Sequence, residues 1–131
     1  MSVKTKARFV PMLYISRGTM EIDFYKNAFG AVELRRWSND DHSIHVADLD
    51  IDGVMFRVHE EMPGQSSFTP LRHGGATTNI GLTVTDVDAV MARAVAAGAR
   101  EISPAQDYDY GYRQGEIADP FGHPWTIEMV I

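Results

Sequence analysis

Residues 117–131 read Ile-Ala-Asp-Pro-Phe-Gly-His-Pro-Trp-Thr-Ile-Glu-Met-Val-Ile. Asp119-Pro120-Phe121-Gly122 is a turn signature, because proline presets φ and glycine accepts positive φ. Apolar Trp125, Ile127 and Met129 alternate beyond it with Thr126 and Glu128, the period of a strand with one face buried. A weaker copy of strand, glycine turn and strand lies earlier, at Leu49-Asp50-Ile51-Asp52-Gly53-Val54-Met55-Phe56-Arg57-Val58. Gly53 and Gly122 stand 69 positions apart, and two helix-ending glycines, Gly30 and Gly98, stand 68 apart. A spacing held this closely marks an internal duplication.

Working outward, each turn closes a βαβββ module. In module one, residues 7–60, strands are expected over Arg8–Ile15, Ala31–Trp37, Ser43–Asp50 and Val54–His59. Pro11 points to an edge or bulge. Thr19 is an N-cap candidate for a helix carrying Ile22, Phe24, Tyr25, Ala28 and Phe29 and ending at Gly30. Residues 61–76, with Pro63, Gly64, Pro70, Gly74 and Gly75, read as a linker. Module two, residues 77–131, opens with a strand over Thr77–Val84. A helix follows, with Thr85 and Asp88 as a capping box and Val87, Val90, Met91, Ala94 and Val95 on its inner side. A short strand at Arg100–Ile102 then leads to a tyrosine-rich loop over Gln106–Gly111.

Strand alternation sorts the side chains by face. Pro11, Leu13, Ile15, Val54, Phe56, Val58, Ile80, Leu82, Val84, Trp125, Ile127 and Met129 form a nearly all-apolar set expected under the helices. The opposite set is Val10, Met12, Tyr14, Met55, Arg57, His59, Asn79, Gly81, Thr83, Thr126 and Glu128. Polar groups among soft and aromatic ones are the lining of a ligand-holding concavity.

Composition bounds the possible functions. With 131 residues, 44% hydrophobic and 23% charged, the chain is the size and make-up of one globular domain. A net charge of −6 opposes nucleic acid and anionic membranes as partners. No apolar run approaches the ~20 residues of a membrane span, and the N-terminal MSVKTKARF has no apolar segment of a signal peptide. Zero cysteines leave no disulfide framework, thiol nucleophile or thiolate metal site. These features fit a cytoplasmic protein.

The paired modules, the helix motif I-x-F-Y-x-x-A-F-G around Phe24-Tyr25 and the D-P-F-G-H-x-W motif near the end resemble the vicinal oxygen chelate superfamily. That superfamily includes glyoxalase I, extradiol dioxygenases, fosfomycin-resistance enzymes and bleomycin-resistance proteins. Its PhnB-like branch is the nearest in pattern. The resemblance implies an α+β fold in which tandem βαβββ modules form a curled mixed sheet around a cavity, commonly completed by a homodimer. It also implies a divalent metal held by His, Gln or Glu from the first and last strands of each module. Carried over residue by residue, those positions are Val10, Arg57, Asn79 and Thr126. Valine cannot ligate, a guanidinium repels a cation, and Asn and Thr are weak neutral donors.

Three function classes follow. The leading one is a metal-independent binder that sequesters an aromatic or cationic antibiotic-like small molecule, with no catalytic residues and no cofactor. Its expected lining is Met12, Tyr14, Trp37, Met55, Arg57, His59, Asn79, Tyr108, Tyr110, Tyr112, Thr126 and Glu128. In Asp107–Arg113 the tyrosines can stack a flat or cationic ligand while the carboxylates meet positive charge; Arg57 would favour an anionic group. The second is a metal-dependent lyase, isomerase or dioxygenase with one divalent ion relocated to His59 and Glu128, which share the 69-residue offset, assisted by His45 or His73. The third is a non-catalytic assembly protein. His123 reads as a turn and interface residue, and His42 as a surface residue.

Overall fold

The computed structural model describes residues 6–131; the first five residues of the N-terminal stretch read for a signal peptide lie outside them. Asp52 and Gly53 have φ of +48° and +88°, the backbone of a two-residue hairpin whose twist matches its flanking strands. This turn joins β3 (Ile44–Ile51) to β4 (Val54–Glu60) in antiparallel register. β2 (Val32–Ser38) pairs with the other side of β3, and β1 (Met12–Ile15) lies parallel to β4, for an order β1-β4-β3-β2. Module two repeats this with β5 (Ile80–Thr83), β6 (Arg100–Tyr108), β7 (Tyr112–Ala118) and β8 (Pro124–Val130), in the order β5-β8-β7-β6. Met12 opposes Arg57 in one sheet and Gly81 opposes Thr126 in the other, so the 69-residue offset is carried into strand register. The expected α+β architecture of tandem βαβββ modules is present, as two four-stranded mixed sheets, neither of them closed.

The helices are α1 (Asp23–Phe29), α2 (Pro70–His73) and α3 (Val87–Ala96). Gly30 ends α1 in the left-handed conformation, as its position predicts. Thr19 does not cap α1. Its hydroxyl donates to the Ser16 carbonyl at 2.6 Å, closing the preceding turn instead. Nor do Thr85 and Asp88 form a capping box: Asp86 is the N-cap, accepting from the Ala89 N–H at 3.0 Å, while Asp88 is drawn to Arg113. The strand expected from Arg8 starts at Met12, because Pro11 brings only an acceptor to the ladder, to the Arg57 N–H. The linker holds the short α2, capped by Thr69, whose own N–H donates to buried Glu61.

The core forms where both modules set apolar residues beneath their sheets. Leu13, Ile15, Phe56, Val58, Trp125 and Ile127 are buried there with Phe24, Tyr25 and Ala28 of α1 and Val87, Val90, Met91 and Ala94 of α3. Val54, expected inside, is exposed at the hairpin tip, where no helix reaches it. Tyr25 links the modules: its ring lies 5.3 Å from Phe56 and 6.0 Å from Trp125, and its hydroxyl donates to Asp119 at 2.7 Å. Among the described residues no helix is long and apolar enough to cross a membrane.

Burial, then the Asp119 charge and the hydrogen bond to it, hold the Tyr25 phenol well above its ordinary range. The unfolded chain therefore releases this proton first as pH passes about 10, and the stability contributed below that pH is lost as pH rises further. We expect the urea midpoint to fall steeply above about pH 10 and Tyr25→Phe to flatten that fall. Equal slopes for the two proteins would show that Tyr25 does not control alkaline unfolding.

Candidate functional site

Each sheet packs one face on the helices and leaves the other uncovered. On sheet one the uncovered face carries Met12, Tyr14, Trp37, Met55, Arg57 and His59, all half-buried or exposed. A shallow pocket of about 340 Å³ lies here, lined by Met12, Trp37, His45, Val46, Arg57 and His59. Alternation assigned five of these residues to this face, and Trp37 joins them from β2. Val10, the first-strand metal position that the resemblance implied, precedes β1 and contributes no ligating atom.

Arg57 does not present a free cation. Its Nε lies 2.6 Å and one Nη 3.4 Å from the two oxygens of Asp48, a carboxylate only 5% exposed. Those hydrogen bonds raise the guanidinium pKa, so Arg57 stays charged and committed to Asp48. The pairing was readable from the hairpin: a two-residue turn at Asp52-Gly53 places Asp48 opposite Arg57 on the same face.

His45 reaches the same surface through a β-bulge. Ile44 pairs with Ser38 and Val46 with Trp37, leaving His45 as the extra residue. Both Ile44 and Ala47 are fully buried, so His45 and Val46 share the open side. The rings of His45 and His59 stand 5.1 Å apart, and both are held by Glu60. His59 Nδ1 lies 2.6 Å from the Glu60 carbonyl, and His45 Nδ1 lies 3.3 Å from its carboxylate, which is 3% exposed as a residue. A carbonyl can only accept, so Nδ1 of His59 bears a proton and Nε2 is the ring nitrogen left for another partner.

Sheet two gathers the remaining proposed residues: Asn79, Tyr108, Tyr110, Tyr112, Thr126 and Glu128. The tyrosines do not sit in a long loop. β6 runs on to Tyr108, and Tyr108 pairs with Tyr112 across a tight turn. Bulges in β6 disguise this strand from a simple alternation reading. Tyr108 and Tyr110 stack with centroids 5.3 Å apart, and Tyr112 lies 6.0 Å from Tyr110. Gln114, missed in the sequence reading, accepts from the Tyr110 hydroxyl and donates to Glu128 Oε1 at 2.7 Å. Two of the loop's charges point elsewhere: Arg113 bridges Asp107 and Asp88 of α3, on the helix side of the sheet.

The metal positions implied by the resemblance do not fit an ion. Arg57 is taken by Asp48, and the Thr126 hydroxyl donates to Asn79 Oδ1 at 2.9 Å, so the two neutral donors serve each other. His59 and Glu128 fall on different sheets, and among the described residues no three His, Asp or Glu side chains form a metal-holding group. His73 stacks on Phe68 in the linker rather than joining His59. His123 is buried and its Nε2 lies 2.7 Å from the Tyr14 carbonyl, tying the last turn to β1. A cleft of about 470 Å³ opens beside that contact, between β1, the linker and the approach to β5.

Comparison with known proteins gives the same architecture. An uncharacterized protein of Mycobacterium bovis is 39% identical over 130 residues, which cover 97% of this chain and 86% of the relative. The crystal structure of TioX from Micromonospora sp. ML1 superposes with a TM-score of 0.70 at 28% identity, over 95% of this chain and 97% of that one. A gene product of Arabidopsis thaliana gives 0.72 at 28% identity, over 94% and 98%. The family model described as the glyoxalase/bleomycin resistance protein/dioxygenase superfamily matches residues 11–127, and the chain belongs to that superfamily.

Proposed function

We propose that this protein is a metal-independent, small-molecule-binding member of its superfamily, of the bleomycin-resistance kind and nearest in pattern to the PhnB-like branch, and that it sequesters an aromatic, antibiotic-like compound. The observation that carries this reading is the pair of uncovered sheet faces. They are rich in aromatic and soft side chains, while the four metal positions hold Val10, Arg57, Asn79 and Thr126. No catalytic residue and no cofactor belong to this reading, and a cytoplasmic setting accords with a chain lacking cysteine.

A pocket as open as that on sheet one shields little of a ligand. We take the working unit to be a homodimer in which one copy's sheet-one face meets the other's sheet-two face. Exposed Met12, Val32, Leu34, Trp37, Ile102 and Val130 supply apolar surface for such an assembly.

The test is calorimetric titration of chelator-stripped protein with nickel, zinc, manganese and iron(II), beside sedimentation and a thermal-shift screen of aromatic compounds. We expect a dimer, silence with every metal, and stabilisation by an aromatic ligand that Tyr110→Ala reduces. Tight binding of one metal per chain, abolished by His59→Ala, would instead establish a relocated centre and an enzyme. Loss of the dimer alone in Tyr110→Ala, with no ligand found, would favour the assembly reading.

A further inference from the structure

We infer that the uncovered face of sheet two recognises an organic cation, with Tyr108, Tyr110 and Tyr112 as its aromatic wall and Glu128 as its counter-ion; this rests on the reading that the open faces bind a small molecule. The sequence leaves the ligand's charge open, because Arg57 favours anions while acidic residues punctuate the tyrosines. The structure separates these groups. Arg57 is neutralised by Asp48 on sheet one. Asp107 is bound to Arg113, which also holds Asp88, all on the helix side.

What remains beside the tyrosines is acidic. Glu128 makes no ion pair among the described residues; its Oε1 accepts from Gln114, and Oε2 is left without a hydrogen bond among them. Gly81, opposite Thr126 on β5, puts no side chain beside Oε2, where even a Cβ would be 3.9 Å away. Gln114 is fixed at both ends: its carbonyl oxygen accepts from Tyr110, so its amide N–H must face Glu128. That chain couples the tyrosine wall to the carboxylate. The Tyr110 phenol is pushed up by desolvation, then by the charges of Tyr108 and Glu128, so both tyrosine and carboxylate are felt at one place. Glu116 adds a second carboxylate on β7, whereas Arg100 stands at the far end of β6, opposite Ala118.

A cation over tyrosine faces is attracted to the negative face of each ring, more strongly as it is desolvated. A carboxylate at the foot of the wall adds direct charge pairing. Within its own chain an anion would meet Glu128 and Glu116 while Arg113 is engaged by Asp107 and Asp88, and like-charge repulsion disfavours it.

Three probes of similar shape decide the matter: 2-phenylethylammonium, 2-phenylethanol and 3-phenylpropionate, titrated into the intact protein by NMR. We expect the ammonium to bind about tenfold tighter than the alcohol, a difference of ~1.4 kcal/mol, and the carboxylate to bind weakest. Glu128→Gln should bring the ammonium to the alcohol's level and leave the alcohol's affinity unchanged, which a folding defect could not do. Tyr110→Leu, at an exposed position, should weaken the ammonium several-fold. Equal binding of the three probes, tighter binding of the carboxylate, or an ammonium preference that survives Glu128→Gln overturns the cation assignment while the binder reading stands. Silence with all three on folded protein overturns the binder reading and this inference together.

Discussion

Asp119→Ala is expected to lower the melting temperature by roughly 15 °C, corresponding to a loss of ~4 kcal/mol in a chain of this size. Asp119 is 4% exposed and accepts four hydrogen bonds. They come from the Tyr25 hydroxyl at 2.7 Å, Trp125 Nε1 at 3.1 Å, the Phe121 N–H at 2.9 Å and the His123 N–H at 3.0 Å. Each buried donor left without an acceptor costs ~1–3 kcal/mol, and the costs overlap because one relaxation serves several of them. The carboxylate shapes the turn through two backbone donors and joins it to α1 and β8 through two side chains. Asp119→Asn should be milder, at ~2 kcal/mol, because one oxygen can still serve the turn. Its amide can donate to Tyr25, whose hydroxyl can also accept, but Trp125 is a donor only and is left unpaired. Thermal and urea unfolding of both variants measure this. A melting temperature within a few degrees of the parent for Asp119→Ala would show that the turn does not depend on its carboxylate.

Gly122→Val should cost ~3 kcal/mol and detach the linker helix from the last turn. Gly122 has φ of +90°, a conformation that a β-branched residue resists. A Cβ there would lie 2.9 Å from the Leu71 backbone nitrogen, 3.0 Å from Leu71 Cγ and 3.2 Å from Pro70 Cβ. All three atoms belong to residues of α2, so relief requires moving the helix and its Leu71 N–H bond to the Phe121 carbonyl. Glu61 resists this motion: burial alone would raise its pKa, but the Thr69 N–H and Arg72 guanidinium bring it below the ordinary carboxylate value. Hydrogen exchange at Leu71 should accelerate in Gly122→Val beyond what the global destabilisation explains. Unchanged protection there, or a loss of stability below ~1 kcal/mol, would mean the helix is not seated on this glycine.

The two predictions share a lesson about the motif that opened the sequence reading. Asp-Pro-Phe-Gly was legible as a turn because proline and glycine act locally on φ. The reason for its aspartate was not legible, since Tyr25 lies 94 positions away.

The same division holds across the chain. Sequence alone determined the duplicated βαβββ architecture, the left-handed glycine ending α1, and, apart from Val54 at the hairpin tip and the bulged β6, which residues of the strands beginning and ending each module face inward or outward. These depend on a two-residue period, on backbone preferences of single residues and on a constant offset of 69. Only the tertiary structure decided what the outward residues do. Whether Arg57 is a free cation depends on Asp48 across the strand, and whether His45 joins His59 depends on a bulge that breaks the period. Whether the charges of Asp107 and Arg113 face a ligand or α3 depends on which side of β6 and β7 the helix packs. Glu128 acquires its role from Gln114, which no motif marks. Alternation is a property of one strand, whereas pairing, bulging and helix docking are set by the competition of many contacts at once.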